Sequence, residues 1–366
     1  MSPINIDTID APAPIKIKIR ELSSTFDISH QGRKGSNGWL FFGVNRITKQ
    51  KVAIKFYDWG GDSQYHAEPS NLALINSPNV IKILDASLVD NDYAFFITPF
   101  YEKGDLDEEL RRGKRGNLVA ISFTRDVLNG LSHLHASSIL HRDIKPQNIL
   151  VSDKNEAIIG DFGSVKKLPQ NTHMVPGSGH SLIYTPPESI SSRQCGIQGD
   201  LYQVGITLFQ LLGGYFPYEQ HDWLDAKELK KYRAIIDGID KQIFAKQCIQ
   251  KMITTGKIID INSLPPWVCV PLRKTVRKAC HFDSTKRFQS CAEFLAHLQK
   301  ISGSIHDWIV EEGFIIHRGV KRKYRIFTDP NNGELHVFKG INNIWRRDNS
   351  FSSRNIDGLV KEIEKK

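Results

Sequence analysis

The run His141-Arg142-Asp143-Ile144-Lys145-Pro146-Gln147-Asn148 gathers an arginine, a lysine, a carboxylate and a carboxamide into eight residues. Thirteen residues after Asn148 comes Asp161-Phe162-Gly163. Asp161 and Asn148 are hard oxygen donors with no soft ligand beside them, a set that suits magnesium better than zinc. Upstream, Val52-Ala53-Ile54-Lys55 puts a lysine in a β-branched run, 17 residues after Gly38. Gly38 closes the turn Gly35-Ser36-Asn37-Gly38, where missing side chains let backbone N–H groups approach a phosphate closely. Cations, a glycine turn and hard donors together suit a phosphate-bearing ligand with its metal ion.

In this order and at these spacings the runs resemble the protein-kinase signature set. Over roughly residues 25–300 the chain resembles the eukaryotic-type serine/threonine protein kinases. The resemblance implies a bilobal α+β fold, with a β-rich N-lobe and a helical C-lobe. It implies ATP and Mg2+ as cofactors, and transfer of the γ-phosphoryl group to serine or threonine hydroxyls of protein substrates. Asp143 takes the place of the base that accepts the hydroxyl proton. Lys145 stands over the transferring phosphate, and its presence separates the chain from tyrosine kinases. Asp161 and Asn148 take the places of the metal ligands. Around the nucleotide the resemblance places Gly35, Ser36, Gly38 and Leu40 in the glycine hairpin, with Arg33 where the first glycine usually stands. Ala53 and Lys55 follow on the next strand. Thr98 takes the gatekeeper position, Tyr101 lies in the hinge Pro99-Phe100-Tyr101, and Asp105 is within reach of the ribose. Glu68 is the implied partner of Lys55, although only 13 residues separate them and Pro69 follows directly.

Further along, Pro186-Pro187-Glu188 resembles the APE motif, Asp200 the aspartate that braces the catalytic loop, and Arg287 the partner of Glu188. Ser181 falls where the family has a threonine contacting Asp143 and Lys145. In the segment from Gly163 to Glu188, at least one of Thr172, Ser178 and Ser181 is expected to be autophosphorylated, with Arg142 beside the catalytic aspartate to receive a phosphate. Two other readings compete: a scaffold that holds ATP without transferring phosphate, and a kinase-fold enzyme with a non-protein substrate. Intact Lys55, Asp143, Lys145, Asn148 and Asp161 argue against the first. The APE-like segment and the long helical lobe argue against the second.

Composition narrows the classes further. The 366 residues are 40% apolar and 24% charged, ordinary for a globular protein. Five cysteines without a CxxC pair argue against a zinc ribbon or a secreted disulfide framework. The first twenty residues show no basic run followed by an apolar one, so a secretory signal is not expected. The longest apolar stretch, Val204 to Phe216, is 13 residues, too short for a bilayer span of roughly 20. A cytoplasmic protein is expected. The formal charge of +9 favours an acidic partner without choosing among nucleic acid, lipid and protein.

The elements that must position these residues follow from periodicity. Residues 1–20 read as a tail or leading strand. Residues 21–101 form the strand-rich N-lobe and residues 102–301 the helical C-lobe, with clear helices at Leu118–His135, Leu201–Leu212 and Cys291–Ile301. A lysine-rich helical surplus lies near 226–261. Residues 304–366 form a small α/β appendage: a helical stretch Ile305–Glu312, strand runs Phe314–Phe327 and Glu334–Lys339 about the turn Asp329–Gly333, and a last helix Asn355–Glu364. Its basic residues Arg318, Lys321, Arg322, Lys323, Arg325, Arg346 and Arg347, with Trp345 among them, suit nucleic acid or an acidic protein, though a solvated sheet face is the commoner explanation. With 12 basic and 9 acidic side chains, the appendage gives thin support to nucleic acid.

Overall fold

The computed structural model describes residues 4–32, 38–60, 67–73, 75–113, 116–177, 181–319, 322–341 and 344–366. Five short strands begin the fold: β1 (Phe26–Gln31), β2 (Trp39–Asn45), β3 (Lys51–Asp58), β4 (Asp85–Leu88) and β5 (Tyr93–Pro99). They form one antiparallel sheet in the order β1-β2-β3-β5-β4. In β3 the alternation of Val52, Ile54 and Phe56 (buried) with Lys51, Ala53 and Lys55 sends the two sets to opposite faces. Ala53 and Lys55 therefore face one way together.

Residues 13–22, expected within a tail or strand, form helix α1 (Ala13–Leu22). The alternating Ile-Lys pattern reads as period two. Pro12 and Pro14 nevertheless set a helix start, and Ile15 and Ile19, four residues apart, are wholly buried. They join Phe41, Val52, Ile54, Phe56, Phe95 and Ile97 in the core on that face of the sheet. Helix α2 (Ala67–Ala73) carries Leu72 toward the second lobe's core.

The second lobe is helical. It begins with α3 (Leu106–Arg112) and α4 (Asn117–Ala136), followed by the two-stranded pairs that β6 (Ile139–Leu140), β7 (Ile149–Val151), β8 (Ala157–Ile159) and β9 (Lys166–Lys167) make as β6-β9 and β7-β8. Next come the pair β10 (Val175–Pro176) and β11 (Gln194–Cys195), the short α5 (Pro187–Ser191), and α6 (Ile197–Leu211). Helix α6 is buried almost throughout, as the apolar run at Val204 predicts. The lysine-rich surplus is α7 (Ala226–Ala234), opened by an Asp225/Glu228 capping box, and α8 (Gly238–Thr254). Helices α9 (Val270–Ala279) and α10 (Cys291–Ser302) complete the lobe.

The appendage differs from expectation at its start. Residues 308–311 form a strand, not part of a helix. Glu312 (φ 49°) and Gly313 (φ 79°) both adopt positive φ and close a two-residue hairpin between β12 (Trp308–Glu311) and β13 (Phe314–Arg318). The first strand run holds both β13 and β14 (Lys323–Thr328), the second is β15 (Leu335–Ile341), and β16 (Ile344–Arg347) lies beyond both, giving the antiparallel order β12-β13-β14-β15-β16. Helix α11 (Ile356–Glu364) buries Leu359, Val360 and Ile363. These, with Trp308, Tyr324, Ile326 and Val337, belong to the same continuous core as α4, α6 and α9. The buried side chain of Asn117, at the start of α4, donates to the carbonyls of Trp267 and His306, tying the appendage to the lobe.

Candidate active site

Between the N-lobe sheet and the helical lobe lies a cleft of about 440 Å3. Gly38, Leu40, Ala53, Lys55, Thr98, Tyr101, Asp105 and Asp161 all line it. Strand register explains much of this. Leu40 pairs with Lys55, and Ala53 with Thr98, so three adjacent strands present one polar-apolar strip to the cleft. Asp105 caps α3 through the Glu108 N–H at 2.8 Å, and burial raises its carboxyl above the ordinary value against that hydrogen bond. Gly35, Ser36 and Arg33, and the side chain of Glu68, lie outside the described residues.

The loop from His141 to Asn148 connects β6 to β7, and one buried carboxylate organises it. Asp200, on α6, accepts the backbone N–H of His141 at 3.0 Å and of Arg142 at 2.7 Å, and its Oδ2 lies 2.8 Å from His135 Nε2. Burial pushes the Asp200 carboxyl up, but His135, His141 and the Arg142 N–H together hold it below the ordinary range. These bonds restrain Arg142 at φ 65°, unusual for a residue with a side chain. The Arg142 guanidinium donates to the carbonyls of Ser164 (2.7 Å) and Pro176 (2.6 Å), so it grips the following segment through main chain.

The β7-β8 ladder brings the backbone of Asn148 beside Gly160, the residue before Asp161. Ile149 pairs with Ile159, and the Gly160 N–H donates to the Asn148 carbonyl at 2.8 Å. Asn148 Nδ2 donates to the Asp143 carbonyl (2.8 Å) and to Asp143 Oδ2 (3.0 Å). Its amide oxygen is therefore the end turned away from Asp143. Asp161, at φ 51°, sits 4.0 Å from Lys55 Nζ, while Phe162 is buried with its ring 5.2 Å from that of His141.

Asp143 is buried, with Lys145 Nζ 2.9 Å from its Oδ2 and also donating to Ser181 Oγ at 2.7 Å. The other carboxylate oxygen, Oδ1, is buried without a hydrogen-bond partner among the described residues. Such an atom normally costs free energy unless a ligand completes it. The charges sort chemically: the Lys55 cation and the Asp161 carboxylate line the cleft, the Asn148 carboxamide is bonded through its nitrogen to Asp143, and Asp143 keeps an acceptor oxygen without a partner among the described residues.

Sequence reasoning missed Gln203. Its buried Oε1 accepts the Ile144 N–H at 2.8 Å, and its Nε2 donates to the carbonyls of Arg142 (3.2 Å) and Tyr184 (3.3 Å). It thus joins the loop carrying Asp143 to the segment carrying Ser181. A polar residue inside the apolar helix α6 was the signal available for it, since buried amides take partners. Gln210 behaves likewise, accepting from the Tyr184 hydroxyl at 3.0 Å. Beneath, Arg287 is fully buried and donates to both Glu188 oxygens, at 2.9 and 2.7 Å.

The model for the protein kinase domain family matches residues 30–298. The chain belongs to that family. It is 27% identical over 239 residues to the serine/threonine-protein kinase PknL of Mycobacterium tuberculosis, covering 60% of this chain and 59% of that protein. Against mitogen-activated protein kinase kinase 8 of Arabidopsis thaliana it is 30% identical over 209 residues, 53% of this chain and 67% of the relative. A probable serine/threonine-protein kinase of Clostridium perfringens is 28% identical over 65% of this chain and 32% of its own length. The chain thus spans under two thirds of the length of PknL. No described helix is long and apolar enough to cross a membrane.

Proposed function

We propose that this protein is a serine/threonine protein kinase that transfers the γ-phosphoryl group of ATP to a protein hydroxyl, with magnesium as cofactor. The observation that carries the reading is the buried Oδ1 of Asp143, without a hydrogen-bond partner among the described residues, beside a lysine bonded to both Asp143 and Ser181. A substrate hydroxyl that donates to Oδ1 is oriented for attack on the γ-phosphorus. The new O–P bond forms as the β,γ-bridging bond breaks, ADP leaves, and the hydroxyl proton goes to Asp143. Lys145 offsets the charge on the transferring group, and Lys55 neutralises the inner phosphates. Asp161 and the Asn148 amide oxygen are the residues that would hold magnesium, which when bound draws charge from the phosphate oxygens. Ala53, Leu40 and Thr98 enclose the base, the Tyr101 hinge offers its backbone, and Asp105 reaches the ribose.

The same reading extends to autophosphorylation at Thr172, which is exposed, whereas Ser181 Oγ is already engaged by Lys145. Five free cysteines fit a reducing, cytoplasmic setting. Incubation with labelled ATP, magnesium and a generic protein acceptor tests the proposal. Phosphoserine and phosphothreonine are expected, with loss in Asp143→Asn and Asp161→Ala. Transfer only to a small molecule, or activity in either variant above about a tenth of wild type, overturns it.

A further inference from the structure

One face of the appendage sheet is covered by α11, which packs near Trp308, Tyr324, Ile326 and Val337. The opposite face carries a different chemistry. Cross-strand register places Ile316, Arg325 and Phe338 side by side on β13, β14 and β15. Arg347 pairs with Phe338, and Trp345 lies over Gly340, whose missing side chain makes room for the indole. The Arg325 guanidinium sits 4.4 Å from the Phe314 ring centre, 4.7 Å from Trp345 and 4.9 Å from Phe338. Phe327 extends the row, 5.2 Å from Phe314.

Arg325 is a cation held among rings. Among the described residues this sheet has the ion pair Arg318–Glu311 (3.6 Å), and His336 lies 4.0 Å from Asp329; Arg325 joins neither, and its Nε is buried without a hydrogen-bond partner among the described residues. Arg318, Lys323 and Arg347 are exposed on the same face. Arg347 contacts His336 Nδ1 at 2.9 Å. The surface therefore has surplus positive charge and four half-buried rings, on four adjacent strands spaced by about 4.8 Å. An acidic peptide would need the cations alone. A polymer that alternates flat bases with phosphates uses both the rings and the cations.

We propose that this sheet face binds single-stranded nucleic acid, with bases stacking on Trp345, Phe338, Phe314 and Phe327 and phosphates meeting Arg325, Lys323 and Arg347. This stands apart from the phosphoryl-transfer reading and can fail without it. The test is fluorescence anisotropy of the full chain with labelled oligo(dT) and oligo(U) of about 12 nucleotides, a usual site size for stacking platforms, over a salt series. Saturable binding is expected, weakening steeply with salt. Trp345→Ala should lose about tenfold in affinity. The exposed double reversal Lys323→Glu/Arg347→Glu should lose more and flatten the salt slope, with melting temperature and kinase activity unchanged. Three results overturn the proposal: no binding at low salt, variants that bind like wild type, or equal affinity for duplex DNA or polyglutamate. The last would assign the face to charge alone and favour an acidic protein.

Discussion

Lys145 Nζ donates to Ser181 Oγ at 2.7 Å, bridging the loop of Asp143 to the segment before Glu188. The bond lets Lys145 keep Asp143 Oδ2 at 2.9 Å while Oδ1 stays open. A hydrogen bond to a charged group contributes about 1.5–3 kcal/mol. Ser181→Ala is therefore expected to lower kcat/KM for a protein acceptor by about 10- to 100-fold. Ser181→Thr should restore most of it, and ATP affinity by calorimetry should stay the same. Unchanged kcat/KM in Ser181→Ala would remove this residue from the machinery.

Gln203 acts through others, so its variant should separate chemistry from nucleotide binding. In Gln203→Leu the Ile144 N–H loses its acceptor and is left buried, a cost of about 1–3 kcal/mol. The expected result is a lower kcat with unaltered ATP affinity, because no Gln203 atom lines the cleft. A loss confined to ATP affinity would contradict this.

Helix α1 is part of the N-lobe core. Ile19→Ala should destabilise by about 2–5 kcal/mol in denaturant unfolding, as large-to-small changes in buried sites do. Ile17, two residues earlier, is 55% exposed, and Ile17→Ala should stay within about 0.5 kcal/mol. Equal effects of the two substitutions would show that α1 does not pack as described.

Burial, with the neighbouring His306, lowers the His317 pKa to about 4. The two rings are joined at 3.0 Å, with Trp308 and Tyr324 packed around His317. The unfolded chain binds this proton near the ordinary 6.5, so between the two values it is the unfolded state that takes up protons. Stability from this group is complete above pH 6.5 and falls away as pH drops toward 4. Melting temperature should decline over that window in wild type and decline less in His317→Gln. Parallel curves would exclude the effect.

Spacing was the most explicit signal in the chain. Lys55, Asp143, Lys145, Asn148, Asp161, Glu188, Asp200 and Arg287 stand at spacings that resemble the kinase signature set, and the fold puts Lys55 4.0 Å from Asp161, Lys145 and Asn148 on Asp143, Arg287 on Glu188, and Asp200 under the His141 N–H. Strands with a half-buried face, such as β3, and the apolar helix α6 were legible because their periods record which side is buried. Competing local signals were not. Residues 15–19 alternate like a strand yet form a helix, since Ile15 and Ile19 gain more by lying on one sheet face. Residues 308–311 look helical until Glu312 and Gly313 turn the chain back and β13 supplies hydrogen bonds. Long-range partnership was decided only in three dimensions. Gln203 spans two segments, Arg142 grips main-chain carbonyls, and the sheet gathers Phe314, Arg325, Phe338 and Trp345 from four strands. Residue types and intervals report which face is buried; they do not report which distant group meets it.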